Sequence, residues 1–170
     1  MSPNPRIRPE EPRDHIAIGQ VIDAAFRDMP FAAGDEAELV VVLRKAGALA
    51  VSLVAELNGT VIGHVAFSPA RPADGSQHWY ALGPVAVLPT HQGHGIGSQL
   101  VREGLRAISA LGAMGCILTG NPSYYRRFGF EPSPGNTPPG EPAEYFMVKA
   151  LGTQVPKGPI YFHEAFKSAV

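Results

Sequence analysis

The run Gln92-Gly93-His94-Gly95-Ile96-Gly97 carries the clearest chemistry in this chain. Glycine accepts positive φ and lets a ligand approach the main chain with no Cβ in the way. From the end of the run, Ile96, Leu100, Val101, Leu105, Ile108 and Leu111 recur at helical spacing, with Gln99, Arg102, Glu103 and Arg106 opposite them. A glycine loop that opens a helix aims several unbonded N–H groups and the positive end of the helix dipole at one point. That is an anion site, and it suits a phosphate. Two common phosphate loops do not fit. The P-loop needs G-x-x-x-x-G-K-[ST], but Ser98 stands where the second glycine belongs and no lysine follows. The dinucleotide fingerprint G-x-G-x-x-G is met at Gly93 and Gly95 and fails at Ser98, and no Asp or Glu stands about 20 residues on to hold a ribose. His91 and His94 form H-x-x-H, yet they lie in a glycine loop with no nearby Asp, Glu or Cys, so no metal is expected.

The elements that must position this loop are legible around it. Residues 82–87 form a short apolar run, read as a buried strand that Pro89 and Thr90 stop. Pro84 has no N–H, which predicts a local break in that strand. The spacing predicts a helix over 98–111, with Gly112 just past its end, and then a strand over 114–119 parallel to the previous one. Upstream, Arg6 to Arg8 reads as a first strand, and Asp14 as the cap of a helix carrying Ile16, Ile18, Val21, Ile22 and Phe26. A second helix carries Glu38, Leu39, Val42, Leu43 and Lys45. Asn58-Gly59 between two β-branched runs predicts a type I′ hairpin of 51–57 with 60–67. Residues 69–77 read as a polar loop, 123–127 as a helical turn, Phe128-Gly129-Phe130 as the start of a strand and 145–151 as a last strand. The Pro- and Gly-rich stretch 132–142 predicts an irregular loop. The sum is a single domain over 1–170 of α/β class, a mixed sheet with helices on both faces.

Composition narrows the function classes. The chain has 170 residues, 45% hydrophobic and 17% charged, which describes a globular protein with a sizeable core. A formal net charge of −1 argues against a nucleic-acid-binding surface. The single cysteine, Cys116, rules out an internal disulfide and sits in an apolar run, where a packing role is expected. No signal peptide or apolar run of membrane-spanning length is read, so the expected setting is the cytoplasm, as a monomer or homodimer.

A third glycine pattern, [QR]-x-x-G-x-[GA] after an apolar strand, is met in full by Gln92, Gly95 and Gly97. Here the chain resembles the GNAT superfamily of acetyl-CoA-dependent N-acetyltransferases. It most resembles a bacterial subgroup with the signatures GHVAFSP (63–69), LGPVAVLP (82–89), QGHGIG (92–97) and NPSYYRRFGF (121–130). The resemblance implies a central twisted mixed sheet and direct acetyl transfer from acetyl-CoA to a primary amine in a ternary complex. It implies that main-chain groups of Gln92, Gly93, His94, Gly95, Ile96, Gly97 and Ser98 ring the coenzyme A pyrophosphate, and that Val85, Ala86 and Val87 run beside the pantetheine arm. It further implies that Asn121 bonds the pantetheine amides and that Tyr125 protonates the departing thiolate. A phenol with a pKa near 10 suits that task, and Tyr124 next to it is the reserve. Arg126 and Arg127 could pair with the coenzyme A phosphates or simply be solvated, and the solvated reading is preferred. Glu38, His64, His78, Glu131 and Glu144 all stand open as the base. The acceptor, a small-molecule or peptide amine, is expected to be selected by the 132–142 loop and the helices within 14–47. A non-catalytic acyl-CoA-binding module of the same fold is the alternative.

Overall fold

A computed structural model describes residues 4–29, 32 and 34–168. In chain order the elements are β1 (Arg6–Pro9), α1 (His15–Phe26), α2 (Glu36–Lys45), β2 (Val51–Leu57), β3 (Thr60–Pro69), β4 (Arg71–Pro72) and β5 (Trp79–Val87). There follow α3 (Ile96–Ala110), β6 (Gly115–Thr119), α4 (Pro122–Tyr125), β7 (Glu131–Pro132), β8 (Phe146–Ala150), β9 (Ile160–Tyr161) and α5 (Ala165–Ser168).

The hairpin turn sets the register at the centre. Asn58 and Gly59 both have positive φ, 51° and 81°, the type I′ geometry whose twist matches the flanking strands. β2 and β3 pair from Leu57↔Thr60 to Val51↔Phe67. The main sheet has the order β1-β2-β3-β5-β6-β8-β7, and β5 with β6 is its parallel pair, joined by α3 as the crossover. β4 and β9 form a separate two-stranded sheet.

Helices cover both faces. On one, Ile18, Val21, Ile22, Ala25 and Val40 of α1 and α2 pack on Val54, Val61, Ala66 and Ala86. On the other, Leu100, Val101, Leu105 and Ile108 of α3 pack on Leu53, Ala55, Ile62, Val65 and Phe67. Strands buried on both faces show continuous apolar runs, which is why 61–67 and 81–87 carry few polar residues. Cys116 is fully buried, and burial pushes its thiol pKa up, as befits a packing residue.

Several expectations are corrected. Asp14 does not cap α1 forward. Its carboxylate takes two hydrogen bonds from Arg8, at 2.7 and 3.0 Å, and one from the Glu11 N–H at 2.7 Å. The Arg8 guanidinium holds that carboxyl at about 2. Ile16, placed with the apolar residues of α1, is 78% exposed. Leu111 lies past the end of α3 and is 53% exposed, because the chain turns away at Gly112 (φ 87°). α3 itself begins at Ile96, two residues earlier than the spacing predicts. Phe128 closes a 3-10 turn and Gly129 is left-handed (φ 92°), so the strand starts at Glu131. The polar loop 69–77 contains β4, whose partner β9 lies far along the chain and leaves no local signal.

Candidate active site

The site begins where a ladder ends. β5 pairs with β6 at Trp79↔Gly115, Tyr80↔Cys116 and Ala81↔Ile117, and beyond Ala81 the two strands separate. On its other edge β5 pairs with β3, but the register jumps from Val65↔Val85 to Phe67↔Leu82. The break falls at Gly83 and Pro84, as the missing N–H of Pro84 predicts. Main-chain groups of residues 82–87 that point away from β3 therefore face an opening instead of a neighbouring strand.

The glycine loop closes one end of that opening. The Leu88 N–H donates to the Ile62 carbonyl at 2.8 Å, anchoring the loop to β3. The His91 N–H donates to the Leu88 carbonyl at 2.8 Å, and the Gln92 N–H to that of Pro89 at 3.4 Å. The Gln92 carboxamide donates to the Val87 carbonyl at 3.0 Å. Gln92 thus ties the loop to the strand through its side chain, while its N–H closes the turn on Pro89. Gly93 and Gly95 have φ of 82° and 80°, and open space lies where their side chains would be. The Gln99 N–H reaches back to the Gly95 carbonyl at 3.1 Å, so the amides of Ile96, Gly97 and Ser98 precede the first turn's bonding. His94 is exposed on the loop.

Two adjacent tyrosines of α4 serve two cavities. Tyr124 belongs to one of about 350 Å³, lined by Val87, the loop residues Gln92, Gly93, Gly95, Ile96, Gly97 and Ser98, and by His91 and Arg127. Its hydroxyl lies 3.2 Å from Ser98 Oγ. Tyr125 belongs to the other, about 430 Å³, with residues 82–85, Thr119 and Glu141, Phe26, Met29, Glu36 and Leu39 from the α1–α2 region, and Phe162 and Phe166 from the tail. The two rings meet edge to face, 5.0 Å between centroids. Burial, with Tyr124 beside it, pushes the Tyr125 phenol up to about 12, so it holds its proton at neutral pH.

The remaining residues singled out in the sequence fall as follows. Val85 and Val87 line the two cavities, whereas Ala86 faces α1 in the core. Asn121 Oδ1 accepts the Ser123 N–H at 2.9 Å and caps α4. Arg126 pairs with Glu131 at 3.2 Å and faces away. Arg127 borders the loop cavity. Its Nε donates to the Tyr124 carbonyl at 2.9 Å, and its guanidinium sits 4.4 Å from the Tyr124 ring centroid.

None of the five candidate bases lines the Tyr125 cavity. His64 is fully buried beneath α1 and α2, 2.8 Å from Ser52 Oγ, and burial pushes its pKa down to about 4. His78 borders a separate groove with Asp74 and Lys157, Glu131 is held by Arg126, and Glu38 and Glu144 are exposed. The carboxylates that do line the cavity are Glu36, in the first turn of α2, and Glu141, whose Oε2 accepts from Thr119 Oγ1 at 3.1 Å. Sequence reasoning missed both, because no motif or spacing links α2, the end of β6 and the proline-rich loop. Among the described residues no group of three or more His, Cys, Asp or Glu is placed to hold a metal ion, and no helix is long and apolar enough to cross a membrane.

Comparison with known proteins identifies the family and the fold. The model of the acetyltransferase (GNAT) family matches residues 18–130. The N-acetyltransferase YhbS of Escherichia coli strain K12 is 41% identical over 111 residues, which cover 65% of this chain and 66% of that relative. The crystal structure of a GNAT family acetyltransferase from Brucella melitensis, in complex with acetyl-CoA, superposes with a TM-score of 0.85 at 45% identity, covering 96% of this chain and 98% of that one. The structure of Escherichia coli YhbS in complex with CoA gives 0.84 at 34% identity, covering 98% and 94%. With the family model matching well over half its length, the chain belongs to the GNAT family of acetyltransferases.

Proposed function

We propose that this N-acetyltransferase binds acetyl-CoA along the opening between β5 and β6 and passes the acetyl group directly to a primary amine. The observation that carries the reading is the early end of the β5–β6 ladder at Ala81, with an amide-rich helix start at one end of the gap and a partly buried phenol at the other. The residues present fit such a ligand. The amides of Gly93, His94, Gly95, Ile96, Gly97 and Ser98, the Ser98 hydroxyl and the Arg127 guanidinium offer the donors a pyrophosphate needs. Alternate main-chain groups of Val85, Ala86 and Val87 offer strand-like partners to the pantetheine amides. A main-chain N–H on that edge also donates to the thioester oxygen, where negative charge develops. Asn121 keeps its side-chain NH₂ for a further amide contact.

The reaction balances with groups of this chain. The amine nitrogen forms a bond to the acetyl carbon, and the carbon–sulfur bond breaks. Tyr125 gives its proton to the leaving sulfur and recovers one from solvent. The ammonium acceptor sheds its protons to a base or to water. A phenol raised to about 12 stays protonated at neutral pH; it is a weaker acid than an ordinary tyrosine and gives up its proton only as full negative charge develops on the leaving sulfur.

Calorimetric titration with acetyl-CoA, desulfo-CoA and ATP tests the reading, followed by an amine screen. Micromolar binding of both coenzyme A species without ATP binding, together with amine-dependent release of free thiol, is the expected result. Absence of binding to either coenzyme A species overturns it. Binding with no transfer to any amine would favour a non-catalytic acyl-CoA module.

A further inference from the structure

Resting on the acetyl-transfer reading, we infer that the acceptor is an apolar primary amine, an alkyl- or arylalkylammonium ion with no carboxylate of its own, and that Glu141 receives its ammonium group. The cavity that holds Tyr125 has two kinds of lining. Phe26, Leu39, Phe162 and Phe166 form an apolar wall, with the Phe162 and Phe166 rings 5.0 Å apart and inclined at 35°. Glu36 and Glu141 are the charged side chains among the described residues that line it, and both are acids. A cavity of about 430 Å³ of this composition selects by both features. The aromatic wall takes an alkyl chain or aryl ring out of water. The Glu141 carboxylate attracts a positive charge and repels an acceptor that carries its own carboxylate, which disfavours free α-amino acids. A polyamine fares poorly as well, since its further ammonium groups would be stripped of water against phenylalanine rings.

Glu141 is the better placed of the two acids for the reacting nitrogen. Both acids share the cavity with Tyr125 and residues 82–85, but Glu141 is the one tied to the end of β6, where Thr119 Oγ1 donates to its carboxylate at 3.1 Å. Bonded there, Glu141 draws the ammonium toward the gap between β5 and β6, where the acetyl group is expected to lie.

The test measures acetyl transfer to 2-phenylethylamine, hexylamine, phenylalanine and spermidine, with acetyl-CoA binding followed separately by calorimetry. Phenylalanine is 2-phenylethylamine with a carboxylate added, so that pair isolates the charge rule. We expect kcat/KM for 2-phenylethylamine and hexylamine at least ten-fold above those for phenylalanine and spermidine. Glu141→Gln should lower kcat/KM for 2-phenylethylamine at least ten-fold, Glu141→Asp should recover part of it, and acetyl-CoA affinity should stay within two-fold in both. Thr119→Val should show a smaller loss of the same kind. A preference for phenylalanine or spermidine, or unchanged amine kinetics in Glu141→Gln, overturns the inference while normal acetyl-CoA binding leaves the transferase reading standing. Failure of the unaltered protein to bind acetyl-CoA overturns both.

Discussion

The hydroxyl of Tyr124 lies 3.2 Å from Ser98 Oγ, at the first turn of the helix that the glycine loop opens. That contact commits Tyr124 to the glycine-loop cavity and leaves its neighbour Tyr125 to face the other cavity. The two phenols should therefore fail differently. Tyr125→Phe is expected to lower kcat about 100-fold or more, the usual scale for a lost general acid, with little change in acetyl-CoA affinity. Tyr124→Phe should keep kcat within a few-fold and weaken acetyl-CoA binding by about two- to ten-fold, the worth of one hydrogen bond. Steady-state kinetics with calorimetry on both variants separates them, and the opposite pattern would move the acid to Tyr124.

Gly95 precedes α3 at φ 80°, with open space where a side chain would be. No neighbour forbids Gly95→Ala, so its cost is conformational, about 1–2 kcal/mol of stability. Its methyl group would also stand over the amides offered to a phosphate. Thermal melting should register the first effect, and a loss of acetyl-CoA affinity the second. Unchanged affinity would place the anion elsewhere.

Gly104 lets α3 settle on Phe67. A Cβ at position 104 would stand 2.1 Å from Phe67 Cε1, well inside contact distance. Phe67 is fully buried and has nowhere to retreat. Gly104→Ala should destabilise the fold by about 1–3 kcal/mol through overpacking. Adding Phe67→Leu should recover part of that loss, a coupling that urea titration of the single and double variants would detect.

His64 makes the fold sensitive to acid. Burial, aided by Arg44 and opposed by Glu10, depresses its pKa to about 4 from an ordinary 6.5. The unfolded chain thus takes up a proton that the folded chain refuses. Stability is fully present above about pH 6.5 and declines as pH falls toward 4, by up to about 3 kcal/mol at the lower end. Asp14, held at about 2, adds a further loss between pH 3.8 and 2. Denaturation across pH 7 to 4 should show the first decline in the native protein and a flatter profile in His64→Gln. A native profile flat over that range would refute the assignment.

Features with short-range causes were legible in the chain. The Asn58-Gly59 turn, the amphipathic face of α3 and the left-handed glycines of the loop each arise from backbone preferences within a few residues. Pro84 announced the break in β5 for the same reason, since an absent N–H cannot join a ladder. Local preference was also misleading at particular places. Asp14 has the chemistry of a helix cap, but a guanidinium from β1 outcompetes the helix amides for its carboxylate.

What the sequence by itself determined is the glycine loop, the strand and helix that hold it, and the presence of a phenol at position 125. Backbone geometry and hydrogen-bonding capacity are written into residue type. Only the tertiary structure decided what surrounds that phenol. Glu36, Thr119, Glu141 and Phe162 come from separate elements, and no periodicity relates them. They meet because β6 parts from β5 after Ala81 and because the tail returns, through β9 against β4, to cover the gap. Such meetings are set by packing between distant segments, which residue type alone does not encode.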